Sequence, residues 1–160
     1  MMDEHGIEEL YRTHGHAVLR RARAMLGSNA EALDALHEVF LDLLARPAQL
    51  DGVAKRMAWV YRKTTFHCLK RIRRRGDHSR IVRALPRPDH SSPRAEQVVT
   101  VRDVLARLPE RLAEVAVYYY VDEMTHAEIA GVLGCSRRHV GDLLQTLQRW
   151  GEDDALAFAK

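Results

Sequence analysis

Apolar residues recur at helical spacing along most of the chain, and the pattern is clearest from Thr125 to Trp150. Thr125 and Glu128 have the capping-box spacing, in which the threonine hydroxyl accepts a backbone N–H and the glutamate accepts the threonine's own N–H. Gly134 stands where a left-handed residue ends a helix at little steric cost, and Ser136 can cap a second helix. The sequence therefore predicts a helix-turn-helix, the unit that binds duplex DNA. An ordinary helical hairpin packed in a bundle is the alternative.

The chain upstream of this unit is also predicted to be helical. Ser28 and Glu31 form another capping pair, directly after Gly27, which can end a preceding helix. Five helices are predicted, over about residues 7–26, 28–45, 53–75, 95–105 and 109–121. The last of these is expected to bury Leu112, Val115, Ala116 and Tyr119 at helical spacing.

These elements predict an all-α fold of two small helical domains joined by a flexible linker, with the helix-turn-helix in the C-terminal domain. Periodicity is lost around residues 76–94, which contain three prolines and therefore indicate the linker. The 160 residues and 46% hydrophobic content suffice to bury a core in either domain. The expected units are a domain over 1–76, a linker over 77–94, a domain over 95–150 and a tail over 151–160 without an assigned role.

The net charge of +3 hides an uneven distribution. Residues 55–83 carry eleven lysines and arginines against one acid, Asp77, and a local field of that size favours a polyanion as partner. One stripe of the third predicted helix interleaves cations with Trp59 and Phe66. Such a stripe suits nucleic acid with unpaired bases, since cations hold phosphates and rings stack on bases. For Trp59, burial between helices is an alternative of equal weight to contact with nucleic acid. Phe66 is the better candidate for an exposed ring.

An acidic stack is predicted on the second helix. Asp34, Glu38 and Asp42 are spaced by four residues, so three like charges lie above one another at a small cost in helix stability. Either the face is solvated and has lysine or arginine partners nearby, or it is a docking surface for a basic partner.

Candidate chemistry beyond binding is weak. Cys68 and Cys135 have no second thiol at metal-ligand spacing, which indicates neither a disulfide nor a zinc site and fits a reducing compartment. His5, His14 and His16 lack a carboxylate or thiol partner at ligand spacing, so no metal, cofactor or catalytic residue is predicted. The chain begins without the apolar core of a secretory signal, and its apolar runs are too short to span a bilayer. We therefore expect a cytoplasmic protein without membrane insertion.

Three segments, in this order, resemble the sigma-70 family of RNA polymerase sigma factors, in particular its small two-domain extracytoplasmic-function group. LDALHEVFLDLL resembles the family's acidic helix, with His37 where glutamine is usual. AWVYRKTTFHCLKRIRRR resembles the tryptophan-led helix that opens the minus-ten promoter element. LPERLAEVAVYYYVDEMTHAEIAGVLGCSRRHV is similar to the domain that reads the minus-thirty-five element. The resemblance covers nearly the whole chain apart from the linker and tail.

The resemblance implies a promoter-specificity subunit and not an enzyme. Its partners would be core RNA polymerase and promoter DNA, with an anti-sigma factor as a further candidate. Core polymerase would be bound by Asp34, His37, Glu38 and Asp42. The melted minus-ten strand would be bound by Lys55, Arg56, Trp59, Arg62, Lys63, Phe66, Lys70, Arg73 and Arg74. The minus-thirty-five duplex would be read by Ser136, Arg137, Arg138, His139, Gln145 and Arg149.

The sequence also departs from the family. Phe66 stands where asparagine is frequent and Lys70 where an acid is frequent, while Gly141, Asp142 and Leu143 replace common lysine, serine and arginine. Fewer phosphate contacts imply weak DNA binding by the C-terminal domain alone. Two alternatives therefore stay open. One is a freestanding helix-turn-helix regulator, and the other is a degenerate sigma-like protein that binds polymerase or an anti-sigma factor without opening promoters.

Overall fold

The computed structural model describes residues 4–45, 52–84 and 101–158. Every regular element in these ranges is helical, which confirms the predicted all-α class. None of the described helices contains a stretch long and apolar enough to cross a membrane. In chain order they are α1 (Glu4–Leu26), α2 (Asn29–Ala45), α3 (Val53–Ala84), α4 (Val101–Arg107), α5 (Glu110–Ala116) with a π-helical turn after it (Val117–Val121), α6 (His126–Leu133) and α7 (Arg137–Phe158).

The first three helices pack around one apolar cluster. Gly27 adopts a φ of 64° and ends α1, and the Ser28 hydroxyl accepts the N–H of Glu31 at 3.4 Å. The short connection turns α2 back along α1, so that their apolar faces meet. The buried members of this cluster are Ile7, Leu10, Val18, Leu36, Val39, Phe40, Leu43 and Val60. Because Val60 belongs to α3, this cluster also fixes the start of α3 against the α1–α2 hairpin.

The predicted helix-turn-helix is present as α6 and α7. Thr125 donates its N–H to Glu128 at 2.7 Å and accepts the N–H of Glu128 at 3.3 Å, so the capping box is complete. Gly134 has φ 64° and ψ 37° and ends α6, and the Ser136 hydroxyl caps α7 by accepting the N–H of His139 at 3.1 Å. The unit packs on α5 through Val115, Tyr118, Ile129, Ala130, Leu133 and Val140.

The π-helical turn corrects the predicted buried face of α5. Tyr118 is fully buried, whereas Tyr119, which we expected inside, is exposed. The backbone N–H of Asp122 bonds to the carbonyl of Val117, a π-type bond that places more residues in the turn than an α-helix does. The α-helical spacing therefore no longer identifies which tyrosine points inward.

Two predicted helix ends are wrong. α3 continues to Ala84 instead of ending near Arg75, so residues 77–84, expected in the linker, are helical. Gly76 does not break this helix, and a Cβ added there would lie 3.7 Å from the Cβ of Ala106. That distance is ordinary van der Waals contact, so a side-chain methyl would fit here and the contact between α3 and α4 does not require glycine. α7 likewise continues to Phe158, through residues expected to form the tail. The remaining linker residues, 85–94, lie outside the described ranges.

The two halves of the chain share an apolar core, which the sequence did not predict. Met25 of α1 and Ile72 of α3 are buried in the same cluster as Leu105 of α4, Leu112 of α5 and Leu147 of α7. Burial of such side chains stabilises the arrangement by about 1.5–3 kcal/mol each. The C-terminal half is therefore packed directly against the N-terminal half.

Cys68 lies in this shared core, and its thiol should be unreactive in the native protein. Burial raises the pKa of the Cys68 thiol to about 12, whereas Cys135 is only partly buried. We expect a thiol reagent at about pH 8 to modify Cys135 alone in native protein and both cysteines after denaturation, because the thiolate is the reacting form. Mass spectrometry measures the sites. Native Cys135→Ser protein should stay unmodified, and rapid labelling of Cys68 in it would contradict this burial.

Candidate nucleic-acid interface

The basic stripe of α3 presents cations and aromatic rings together, as the sequence predicted. Lys63 Nζ lies 5.5 Å from the centroid of the Trp59 ring, and Lys70 Nζ lies 6.0 Å from that of Phe66. The exposed members of the predicted minus-ten set are Lys55, Arg62, Phe66, Lys70 and Arg74, and the half-buried ones are Arg56, Trp59, Lys63 and Arg73. All nine thus reach the surface in some part, and α3 can offer both phosphate and base contacts.

Trp59 is partly buried, between the two positions that the sequence left open. Its side chain packs against the α1–α2–α3 cluster and also lines a cavity of about 530 Å³ between α3, α5 and α6. Phe66 lines the same cavity and is 47% exposed. Trp59 is therefore partly core and partly surface, while Phe66 is the exposed ring that the sequence favoured.

Two predicted DNA-binding cations of α3 are paired with carboxylates of α5. Arg62 Nε lies 3.1 Å from Glu114 Oε1. Arg73 Nη1 lies 3.9 Å from Glu110 Oε2, and Arg73 also donates to the carbonyl of Leu108 at 3.2 Å. The C-terminal half therefore places two negative charges against the stripe that was predicted to hold phosphates.

The acidic stack of α2 has cationic partners within the chain. Arg71 lies 2.8 Å from Glu38 and 3.9 Å from Asp34, and Lys63 lies 3.3 Å from Asp42. Burial raises the pKa of Asp42, but the hydrogen bond and charge of Lys63 lower it more, so the pKa lies below its ordinary value. These partners offset the like-charge repulsion, as the solvated-face alternative required.

His67 lies between two of these carboxylates. Its Nδ1 is 3.0 Å from Glu38 Oε2 and its Nε2 is 3.5 Å from Asp42 Oδ2. The α3 residues Lys63, His67 and Arg71 are themselves spaced by four, which matches the spacing on α2. The Lys63 and Arg71 ion pairs therefore join the two helices, with His67 between them, and the early residues of one helix face the late residues of the other.

The predicted docking face of α2 nevertheless stays accessible. The Glu38 side chain is 48% exposed despite its partners, and His37 is exposed as well. Leu41, which is 63% exposed beside these acids, and Leu44, which is also exposed, were not predicted on this surface. Leu41 follows Glu38 by three residues, so helical spacing puts it on the acidic side of α2, while the packed structure shows how far it is exposed on this mixed apolar and acidic face.

The exposed face of α7 carries the residues predicted to read duplex DNA. Arg138, Gln145 and Arg149 recur at helical spacing, while Val140 and Leu147 are buried on the opposite side. Asp142 is exposed at the same spacing and adds a negative charge to that face. The structure places on the surface all six predicted residues, namely Ser136, Arg137, Arg138, His139, Gln145 and Arg149.

Two family models match the chain over the regions just described. Sigma-70 region 2 matches residues 10–78, which include α2 and most of α3. Sigma-70, region 4 matches residues 99–145, which include α6 and the start of α7. The chain belongs to the sigma-70 family. Its combination of regions 2 and 4 is that of the extracytoplasmic-function group, as the sequence indicated. Sigma-70 regions bind core RNA polymerase and promoter DNA, and the family is one of transcription factors and not of enzymes.

The fold is also similar to a solved structure of CnrH in complex with the cytosolic domain of CnrY. The match has a TM-score of 0.58 at 20% sequence identity and covers 99% of this chain and 91% of the matched chain. At this identity the likeness concerns the fold alone. A search of curated proteins found no significant match.

Regions 2 and 4 meet at a buried arginine that the sequence analysis did not single out. Arg21 of α1 is 2% exposed. It donates to Asp122 at 2.7 Å, to the carbonyl of Tyr61 at 2.7 Å and to the Thr65 hydroxyl. Its guanidinium lies 4.9 Å from the ring centroids of both Tyr61 and Tyr118.

The Arg21–Asp122 pair links the two regions, with Arg21 buried and Asp122 largely covered. Burial raises the pKa of the Asp122 carboxyl above its ordinary value, against the opposing effect of Arg21. Helical spacing places Arg21, but not its exposed neighbour Arg20, on the stripe of the buried Val18 and Met25, yet an arginine in a basic run gives no local sign of a partner. Only the approach of region 4 makes one of them a buried ion-pair partner.

Replacing Arg21 should therefore destabilise the protein strongly. Arg21→Met leaves Asp122 buried without its cation, which is expected to cost about 3–5 kcal/mol of unfolding free energy. Denaturant unfolding followed by circular dichroism measures the loss.

The matched control is Arg12→Met in the same helix. Arg12 pairs with Glu8 at 2.9 Å on the surface, where such a pair contributes about 0–1 kcal/mol. Adding Asp122→Asn to Arg21→Met should recover part of the loss. Equal losses for Arg21→Met and Arg12→Met would show that the buried pair does not hold the fold.

Proposed function

We propose that this protein is a promoter-specificity subunit of RNA polymerase. α2 docks on the core enzyme, α3 holds the melted minus-ten strand, and the start of α7 reads the minus-thirty-five duplex. The observation that carries the proposal is the exposed stripe of rings and cations on α3, within the matched region 2. Catalysis belongs to polymerase, and a subunit with this role works in the cytoplasm, where polymerase is.

The minus-ten function rests on Phe66 and its neighbours. An exposed ring beside Lys70 and Arg62 offers a stacking surface flanked by phosphate-binding charges. A base that leaves the duplex loses its stacking, and a protein ring restores part of it. Aromatic residues on a basic helix therefore favour the open strand over the closed duplex. This preference is the physical requirement for promoter opening.

Core docking is assigned to α2. Asp34, His37, Glu38 and Asp42 surround the exposed Leu41, and a partner that brings an apolar pocket rimmed by cations would complement this face. Because Glu38 and Asp42 already contact α3 cations, docking exchanges or extends existing ion pairs. The gain in free energy then comes largely from Leu41 and its apolar surroundings.

We also expect a second protein partner that keeps the chain from polymerase. Support comes from CnrH, which has a similar fold and was solved in complex with the cytosolic domain of another protein, CnrY. A partner that contacts both regions of this chain would act as an anti-sigma factor.

Removing the exposed ring should weaken promoter opening. Phe66→Ala is expected to lower run-off transcription from a duplex promoter by about 5- to 150-fold, since stacking contributes about 1–3 kcal/mol per base. A template with a pre-melted minus-ten region should restore most of the activity, because opening is no longer required.

Tyr120→Ala serves as the control, since Tyr120 is a highly exposed ring outside α3. It should leave transcription from both templates unchanged. A protein that binds polymerase but gives no transcript on either template would support the interaction-protein alternative.

Arg137 and Arg138 should dominate recognition of the upstream element. Both are exposed in the first turn of α7, where base edges are contacted. Alanine at both positions is expected to reduce selection of the minus-thirty-five sequence by about 5- to 150-fold per lost base contact, or about 1–3 kcal/mol.

Transcription by core polymerase on a randomised promoter library measures this selection. The control variant, Arg12→Ala with Arg23→Ala, also removes two positive charges, but from the exposed surface of α1. It should leave the enriched sequences unchanged. Unchanged upstream selection in the Arg137 and Arg138 variant would contradict the assignment.

A further inference from the structure

Carboxylates of α5 contact the α3 cations that are proposed to bind DNA phosphates. Glu110 and Glu114 are one helical turn apart on α5, and each contacts a cation of the proposed minus-ten surface. Carboxylates so placed occupy arginine donors that would otherwise bind phosphate oxygens, since both anions use the same guanidinium geometry. The cavity beside Trp59 and Phe66 is closed on one side by this helix.

Glu114 is held in position by its own region. It is buried. It accepts a hydrogen bond from the Tyr118 hydroxyl at 3.3 Å and forms an ion pair with the Arg111 guanidinium at 3.3 Å. It therefore faces Arg62 with little freedom to move away. Tyr118 also contacts Arg21 through its ring, so the Arg62–Glu114 pair and the buried Arg21–Asp122 pair belong to one contact surface.

The closed arrangement also keeps the two proposed DNA surfaces near each other. Val132 of α6 lines the same cavity as Trp59 and Phe66. Arg137 follows five residues later, a reach of at most ~18 Å along the chain. The minus-ten and minus-thirty-five elements lie about 25 base pairs apart, or ~85 Å of duplex at ~3.4 Å per pair. One closed chain cannot contact both elements at once.

We infer that α5 is an internal competitor of promoter DNA, in which Glu110 and Glu114 occupy Arg73 and Arg62 until regions 2 and 4 separate. The inference rests on the proposed function, because it assumes that α3 is the surface that binds melted DNA. It adds that the free chain restrains this surface by itself, through named intramolecular contacts, and that a partner which separates the regions releases it.

The competition is tested on the full chain with Glu110→Gln and Glu114→Gln combined. Glutamine keeps the size and hydrogen-bond acceptor of each side chain and removes its charge. The matched control is Glu152→Gln with Asp153→Asn, two exposed carboxylates near the end of α7, so that both proteins gain the same net charge. The probe is a fluorescein-labelled single-stranded oligonucleotide of random sequence, titrated without polymerase and followed by anisotropy.

We expect the Glu110 and Glu114 variant to bind the probe at least about fivefold more tightly than the control, the lower range of coupling between linked sites. Equal affinity would overturn the inference. Glu110→Gln alone changes an exposed side chain and should give part of the effect with intact folding. It therefore decides the question if the double variant is unfolded by circular dichroism, and an affinity equal to wild type would then overturn the competition.

Separation of the regions has its own readout. Small-angle scattering should give a larger radius of gyration for Asp122→Asn than for wild type at the same concentration, because the variant loses the charge that pairs with Arg21. Equal radii would show that this contact does not hold the regions together.

Phe66→Ala separates failure of the inference from failure of the proposed function. If Phe66→Ala weakens probe binding by wild type while the α5 variant binds no better than the control, α3 binds DNA and the competition is wrong. If Phe66→Ala changes binding in neither background, α3 is not the DNA surface, and the proposed function fails together with the inference.

Discussion

A buried guanidinium lies at the contact between the two regions of this chain, beside the apolar core that they share. Arg21 comes from α1, binds a carbonyl and a hydroxyl of α3, and takes its counter-charge from Asp122, which follows the π-helical turn. A cation so deeply buried is tolerated only when its donors are satisfied and an anion is close. Two tyrosine rings cover its faces. The position of region 4 on region 2 therefore depends on an interaction that neither region can complete alone.

The same packing limits how the protein acts on DNA. Separation of the regions exposes the apolar core that α1 and α3 share with α4, α5 and α7, and it leaves Asp122 without its partner. Both effects oppose separation, so under the proposed mechanism binding of polymerase has to offset them. The acidic face of α2 also has internal contacts that a partner would have to replace, because its carboxylates already contact Lys63, His67 and Arg71. Under the proposed function, recognition by this chain is thus an exchange of internal contacts for external ones.

Local features could be predicted from the sequence, while features made by packing could not. The capping box at Thr125 and the left-handed Gly134 depend on residues within a few positions, and both occur as expected. Residues 76–94 were predicted to be a linker, but α3 continues through Gly76 to Ala84, and it packs against α4, a contact that local sequence does not reveal. Likewise, the stripe of α3 was predicted as a surface, whereas its pairing with Glu110 and Glu114 depends on a contact between regions.

The shared core has a consequence for synthesis of the chain. Met25, Cys68 and Ile72 are covered by residues such as Leu112 and Leu147, which leave the ribosome later. For that interval the nascent N-terminal region presents an uncovered apolar face, the kind of surface that binds chaperones or aggregates. Folding of region 2 is therefore completed only after α7 has been translated, although its own helices and their caps can form earlier.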